Sequence, residues 1–273
     1  MDDHARQTAR SDGYALVTGA SSGIGAAIAR EYARRGVPLV LTARRLDRLQ
    51  ALAAELRAQV PVDTIAADLS RPSAPAELAG ELERRGLAVR ILVNNAGYGV
   101  PGRYRRSEWQ VHADFLQVMV GATSELTWRL LPSIRGFDRG RILNVSSFAA
   151  LVPAADGQTL YAPAKAYLVK FSEALALENA DRGVHATALC PGFTRSEFHD
   201  VTGTRGMMSK LPRWMWLDAA EVARAGIEAV EAGRVLEVPG RVYKVLHRLA
   251  WLLPDRFLLK RMARNSRRIR SIE

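Results

Sequence analysis

Tyr161 and Lys165 stand four residues apart at the start of a stretch that reads as a helix, so both side chains share one face. An ammonium beside a phenol stabilises the phenolate and lowers its pKa, making the tyrosine a usable general acid or base. Ser147 closes a preceding apolar run, and a hydroxyl at a strand end can donate to a developing oxyanion. A Tyr-x-x-x-Lys pair taken alone is weak, since many helices carry one on a solvated surface. Its weight comes from order along the chain: a glycine-rich turn, then Asn94-Asn95-Ala96-Gly97, then the serine, then the pair.

The turn is Thr18-Gly19-Ala20-Ser21-Ser22-Gly23-Ile24-Gly25. It follows a short apolar strand at 14–17 and opens a good helix over 26–35, closed by Gly36. Its glycines let the backbone turn sharply and approach a ligand, and the helix start offers free N–H groups to a pyrophosphate. The spacing G-x-x-x-G-x-G differs from the commoner dinucleotide fingerprint, so by itself it reads equally as an anion site or an ordinary turn.

Apolar, β-favouring runs alternate with helical patterns around these motifs, which predicts a parallel sheet with crossover helices. Residues 38–42 read as the second strand with a helix over 46–59, and 61–67 as the third, ending at Asp68, with a helix over 74–85. Residues 89–93 and 141–145 read as strands four and five, with a long helix over 112–131 between them. A helix over 162–182 closed by Gly183, a sixth strand at 185–189, an Asp218-capped helix to Glu231 and a seventh strand at 234–238 complete the pattern. The fold expected is α/β: a three-layer, doubly wound parallel sheet (a Rossmann fold) of about seven strands with a basic helical C-terminal tail. Residues 1–240 form its one domain, including an irregular loop at 193–217, and 241–273 a basic amphipathic extension.

In such a sheet, ligands sit beyond the carboxyl ends of the strands, where the strand order reverses. Arg44 and Arg45 follow strand two, where a dinucleotide fold meets the adenosine ribose. Arginine there suits a 2′-phosphate, and position favours Arg44, whereas Arg45 reads equally as a solvated residue opening the next helix.

The 273 residues suit one sizeable α/β domain, and a composition 48% hydrophobic and 25% charged is that of a globular protein. The single cysteine, Cys190, excludes an intrachain disulfide and fits a reducing, cytoplasmic setting. Residues 1–12 lack the basic-then-apolar order of a secretory leader, and no apolar run approaches the ~18 residues of a membrane span. No metal is expected.

Jointly, Thr18–Gly25, Asp68-Leu69, Asn94–Gly97, Asn144–Ser147, Tyr161–Lys165 and Pro191-Gly192 resemble the short-chain dehydrogenase/reductase family over residues 12–240. The resemblance implies NADP(H) as cofactor, with Gly19, Ser21, Ser22, Gly23 and Ile24 at the phosphates, Asp68 and Leu69 at the adenine, and Asn95 on the adenine ribose side. It implies that Tyr161 protonates a carbonyl oxygen as hydride arrives, that Lys165 holds the nicotinamide ribose and lowers the tyrosine pKa, and that Ser147 orients the substrate. Thr194 and Ser196, within Pro191–Ser196, would bind the carboxamide. The reaction implied is interconversion of a ketone or aldehyde and an alcohol, by a homodimer or homotetramer joined through the helices after strands four and five.

One departure stands out. The family's asparagine in the helix after strand four aligns with Met119, which cannot supply the carbonyl that holds the relay water feeding the lysine. That residue supports a second reading, a dinucleotide-binding member with little turnover that acts as a sensor or membrane-peripheral scaffold. The Ser147-to-Tyr161 spacing is also one residue longer than the family's, an insertion that a loop at Asp156-Gly157 would absorb.

The loop at 193–217 carries Phe193, Phe198, Met207, Trp214 and Trp216 among other apolar residues, which suit either a channel for a lipophilic carbonyl compound or simple packing. From Arg241 onward ten Lys/Arg face two acids, a local balance of +8 within a net charge of +11. Pro254 splits this tail into two short amphipathic helices, which suit an anionic membrane surface or a docked, solvated tail. The tail also resembles that of family members acting on long-chain keto-lipids. No recognition module accompanies the charge, so nucleic acid is not an expected partner.

Overall fold

The computed structural model describes residues 13–154, 156–195 and 212–269. Seven strands form one sheet: β1 (Tyr14–Thr18), β2 (Leu39–Ala43), β3 (Val62–Ala66), β4 (Val89–Asn94), β5 (Arg141–Val145), β6 (His185–Leu189) and β7 (Leu236–Glu237). All neighbours pair parallel, in the order β3-β2-β1-β4-β5-β6-β7. The central strands are apolar on both faces because helices cover both. Ala15 and Val17 of β1 turn to one side, against α1 (Gly23–Arg34), α2 (Leu46–Leu56) and α7 (Ala219–Glu231). Tyr14 and Leu16 turn to the other, against α3 (Ala74–Arg84), α5 (Ala122–Arg135) and α6 (Tyr161–Glu178). Strand order reverses between β1 and β4, which opens a cleft at their carboxyl ends.

Three elements differ from the sequence expectation. The helix after β4 starts earlier, as α4 (Trp109–Leu116), and passes through a wide π turn at Gln117–Gly121 before α5. A period of 3.6 apolar positions cannot register such a turn, because the residues on either side keep their helical pattern. Strand β7 shrinks to two residues at the sheet edge, where Gly233 and Pro239 bracket it. Helix α6 begins at Tyr161 itself.

The basic segment forms α8 (Arg241–Leu252) and α9 (Asp255–Ile269), parted at Pro254. The compositional boundary at residue 240 runs through a packed segment, because Tyr243 of α8 is only 2% exposed and belongs to a cluster with Val169, Ala188 and Val238. Among the described residues no helix is long and apolar enough to cross a membrane, and no group of three His, Cys, Asp or Glu side chains is placed to hold a metal ion.

Candidate active site

The carboxyl ends of β4 and β5 are tied to the helices above them by buried polar groups. Asn94 Nδ2 donates to Asn144 Oδ1 at 2.9 Å and to Thr127 Oγ1 at 3.1 Å, and Asn144 Nδ2 donates to Ser172 Oγ at 2.9 Å. Strands β4 and β5 and helices α5 and α6 therefore share one hydrogen-bonded layer, which sets the height of α6 over the sheet. At the end of β5, Ser146 Oγ donates to the Lys165 carbonyl at 2.7 Å. Lys165 Nζ returns a bond to the Val145 carbonyl, also at 2.7 Å.

This clamp brings Ser147, Tyr161 and Lys165 together. The Ser147 hydroxyl hydrogen-bonds the Tyr161 phenol and also accepts from the Ala149 N–H at 3.1 Å. Lys165 Nζ lies 5.8 Å from the centre of the Tyr161 ring, one helical turn along the same face. Lys165 is 5% exposed, and burial of its ammonium lowers its pKa from 10.5 to about 8.

The electrostatics of Tyr161 differ from expectation. Its pKa stands above the ordinary value because burial penalises the phenolate, and the Ser147 hydrogen bond offsets this only in part. Lys165 is not among the groups that shift it, since the ammonium faces the Val145 carbonyl rather than the phenol oxygen. Cys190, between them and β7, is pushed up to about 11 by burial and stays a neutral thiol.

Tyr161 borders a small pocket whose walls include Val100, Tyr104, His112, Phe115 and Leu160. The Gly102 N–H donates to the Gly157 carbonyl at 3.0 Å, so the segment at Gly157 docks on the loop after β4. His112 is 6% exposed, and its Nε2 lies 2.8 Å from the Tyr104 carbonyl, an acceptor that requires the proton on Nε2. Its Nδ1 is then a buried acceptor with no partner among the described residues. Sequence reasoning passed over His112 because a lone histidine on an apolar helix face carries no motif.

At the other end of the cleft the glycine-rich turn is held by β4. Thr18 Oγ1 donates to the Val93 carbonyl and accepts from the N–H groups of Asn95 and Ala96. Asn95 Nδ2 donates to the carbonyls of Thr18 at 2.8 Å and Gly19 at 3.2 Å. Asn95 thus secures the turn. Gly19 and Gly23 have φ of +64° and +57°, the left-handed region that disfavours side chains.

Helix α1 starts with no side-chain cap, because the Ser21 and Ser22 hydroxyls accept instead from Arg45 NH2 at 3.1 and 3.0 Å. A guanidinium, two hydroxyls and the N–H groups of a helix N-terminus form a donor set that suits phosphate. Arg44 is exposed, and close enough to Tyr98 to affect its ionisation together with Asp114 and Asp68. Asp68 Oδ1 accepts from the Ser70 N–H and hydroxyl, and the Leu69 side chain is packed in the core. Ile24 is partly buried against α1's own core cluster.

Met119 occupies the π turn, 1% exposed, packed with Phe115 and Ala164. Its sulfur and Lys165 Nζ approach the same point above Gly97, where an added Cβ would lie 2.8 Å and 3.7 Å from them. The thioether fills the space behind the lysine.

Thr194 is buried, and its hydroxyl donates to the Gly192 carbonyl at 3.1 Å; Ser196 lies outside the described residues. Tyr243 of α8 stands over this strand end. Its hydroxyl accepts from the Phe193 N–H at 3.0 Å and donates to the Met215 carbonyl at 2.7 Å, and its ring occupies the space a Cβ on Gly192 would need. Nothing in the sequence pattern of the tail marks this residue.

The chain is similar to known proteins. The chain is 34% identical over 238 residues to an oxidoreductase of Myxococcus xanthus, an alignment covering 85% of this chain and 92% of the other. A short-chain dehydrogenase from Sphingobium yanoikuyae, solved in complex with NADPH, superposes with a TM-score of 0.77 at 30% identity, over 87% of this chain and 93% of that one. The bulky-bulky ketone specific alcohol dehydrogenase from Comamonas testosteroni superposes with a TM-score of 0.73 at 30% identity, over 88% and 91% of the two chains. The short chain dehydrogenase family matches residues 13–205, from the first strand through the glycine-rich turn and the Ser147–Tyr161–Lys165 cluster, and the chain belongs to that family.

Proposed function

We propose that the protein interconverts a ketone or aldehyde and an alcohol with NADP(H), using Tyr161 as general acid in reduction and general base in oxidation. The observation that carries this reading is the Ser147–Tyr161 hydrogen bond at the end of β5, with the buried Lys165 one turn further along α6. When bound, the dinucleotide supplies or accepts the hydride at its nicotinamide ring. Ser147 holds the substrate oxygen beside Tyr161, which gives that oxygen its phenolic proton in reduction. Its raised pKa keeps Tyr161 protonated and ready to donate at neutral pH. Lys165 keeps its charge below about pH 8 and orients the nicotinamide ribose.

NADP rather than NAD is supported by Arg45 at the start of α1 and by the NADPH of the Sphingobium relative. The apolar walls given by Val100, Phe115 and Leu160 favour a lipophilic substrate, with the His112 Nδ1 available to a donor on it. Exposed Trp128 on α5 and Leu177 on α6 support a homodimer or homotetramer built through those helices.

The test is NADPH oxidation by the purified protein against carbonyl compounds graded in size, beside Tyr161→Phe. Wild-type turnover, with a loss in kcat of roughly 10²–10⁴-fold and intact NADPH binding in the variant, is expected. NADPH that binds but is consumed with no carbonyl compound would overturn the catalytic reading and favour the binding-only alternative that Met119 raises.

A further inference from the structure

Among the described side chains of α8 and α9, Val245, Leu246, Leu249, Leu252, Phe257 and Leu259 are exposed apolar groups. On α8 Tyr243, His247 and Ala250, at helical spacing, are buried or half-buried and share one face toward the body, with Val242 half-buried beside them. Val245, Leu249 and Leu252, at the same helical spacing, form a second stripe about half exposed or more. On α9 Phe257 and Leu259 are exposed as well, on different sides of that helix. Helices this short gain most of their stability from covering an apolar face, so this stripe requires an occupant.

The charge of the segment selects among occupants. Ten Lys/Arg against two acids give +8 over residues 241–273. A second copy of the same surface would cover the stripe only by bringing two such charges together. Nucleic acid would match the charge and leave the leucines in water. An anionic lipid surface meets both, accepting the stripe at the headgroup–acyl boundary and pairing the arginines with phosphates.

We propose that α8 and α9 seat the protein on an anionic membrane surface. Tyr243 fixes the orientation of that seat, because its hydroxyl joins α8 to Phe193 and Met215 at the edge of the candidate active site. Seating on lipid therefore places the catalytic cleft at a fixed attitude to the bilayer, whatever the carbonyl substrate proves to be.

The test is co-sedimentation of the full chain with vesicles of phosphatidylcholine alone or mixed with phosphatidylglycerol. Wild-type protein is expected to pellet with the anionic vesicles only. Leu249→Glu with Leu252→Glu is expected to weaken this about ten-fold or more, while NADPH binding and thermal melting stay unchanged. Arg256→Glu with Lys260→Glu is expected to weaken it comparably, through charge alone. Wild-type protein that stays in the supernatant overturns the proposal. So does pelleting that the leucine variant leaves intact, which would be adsorption by charge. A leucine variant that instead falls from an oligomer to a monomer in light scattering would assign the stripe to contacts between copies. Solution turnover is read separately, so failure here leaves the catalytic reading standing.

Discussion

Lys165 Nζ donates to the Val145 carbonyl at 2.7 Å, so the strand that delivers Ser147 also holds the cation beneath Tyr161. The ammonium is buried against one neutral acceptor, and desolvation brings its pKa down to about 8. Over the interval from about 8 to 10.5 the folded protein has released a proton that the unfolded chain still binds, so folding stability from this group rises with pH there. Below about 8 both states are protonated and the full desolvation cost remains. Wild type should therefore gain on Lys165→Met by on the order of 3 kcal/mol across that window. Urea midpoints of both proteins at about pH 7 and about pH 10 measure it; parallel profiles would show that the ammonium is better solvated than its burial implies. Cofactor affinity should move the opposite way, falling as pH rises through about 8.

Arg45 reaches the Ser21 and Ser22 hydroxyls of the glycine-rich turn, while Arg44, which position favours for a 2′-phosphate, is exposed near Tyr98. Arg45→Ala should weaken NADPH binding roughly 10–100-fold, the worth of a charge-assisted hydrogen bond, with little effect on NADH. Arg44→Ala should have a smaller effect. Fluorescence titration of both nucleotides against both variants decides it, and a larger loss in Arg44→Ala would return the 2′-phosphate to that residue.

Tyr243 links the tail to the catalytic domain. Tyr243→Phe keeps the ring over Gly192 and removes the hydroxyl shared by Phe193 and Met215, which should cost about 1–3 kcal/mol in denaturant unfolding. Gly192→Ala should cost at least as much, because its methyl would overlap the Tyr243 ring and displace it. A neutral Gly192→Ala would mean that α8 can lift from the body without loss.

Met119 packs beside Lys165 at the position where the resemblance places the family's asparagine. Met119→Asn removes apolar packing against Phe115 and Ala164 and should destabilise by roughly 2–4 kcal/mol. The carbonyl it introduces gives a water near Lys165 a partner, so turnover should rise severalfold with a smaller solvent isotope effect. Unchanged steady-state turnover would show that proton resupply through Lys165 is not limiting.

The sheet was legible because its strands are apolar runs in strict alternation with helices, and that pattern survives any detail of packing. The π turn was not, since Gln117–Gly121 keeps its apolar positions while the backbone widens by one residue. Ser147, Tyr161 and Lys165 were legible as candidates because type, spacing and order all pointed to one chemistry. Their electrostatics were not: sequence proximity predicts that Lys165 acts on the phenol, whereas the fold turns the ammonium toward Val145 and lets burial dominate Tyr161.

The sequence by itself determined the strand and helix order, and it marked the glycine-rich start of α1 and the Ser147–Tyr161–Lys165 cluster as candidates, all of which depend on local spacing. Only the tertiary structure decided which arginine serves the turn, that Asn95 braces it, that His112 enters the pocket and that Tyr243 ties the tail to the cleft. Those contacts join segments far apart in the chain, such as Ser21 to Arg45 and Phe193 to Tyr243. Their partners are set by how the strands and helices pack against one another, and no periodicity along the chain encodes that.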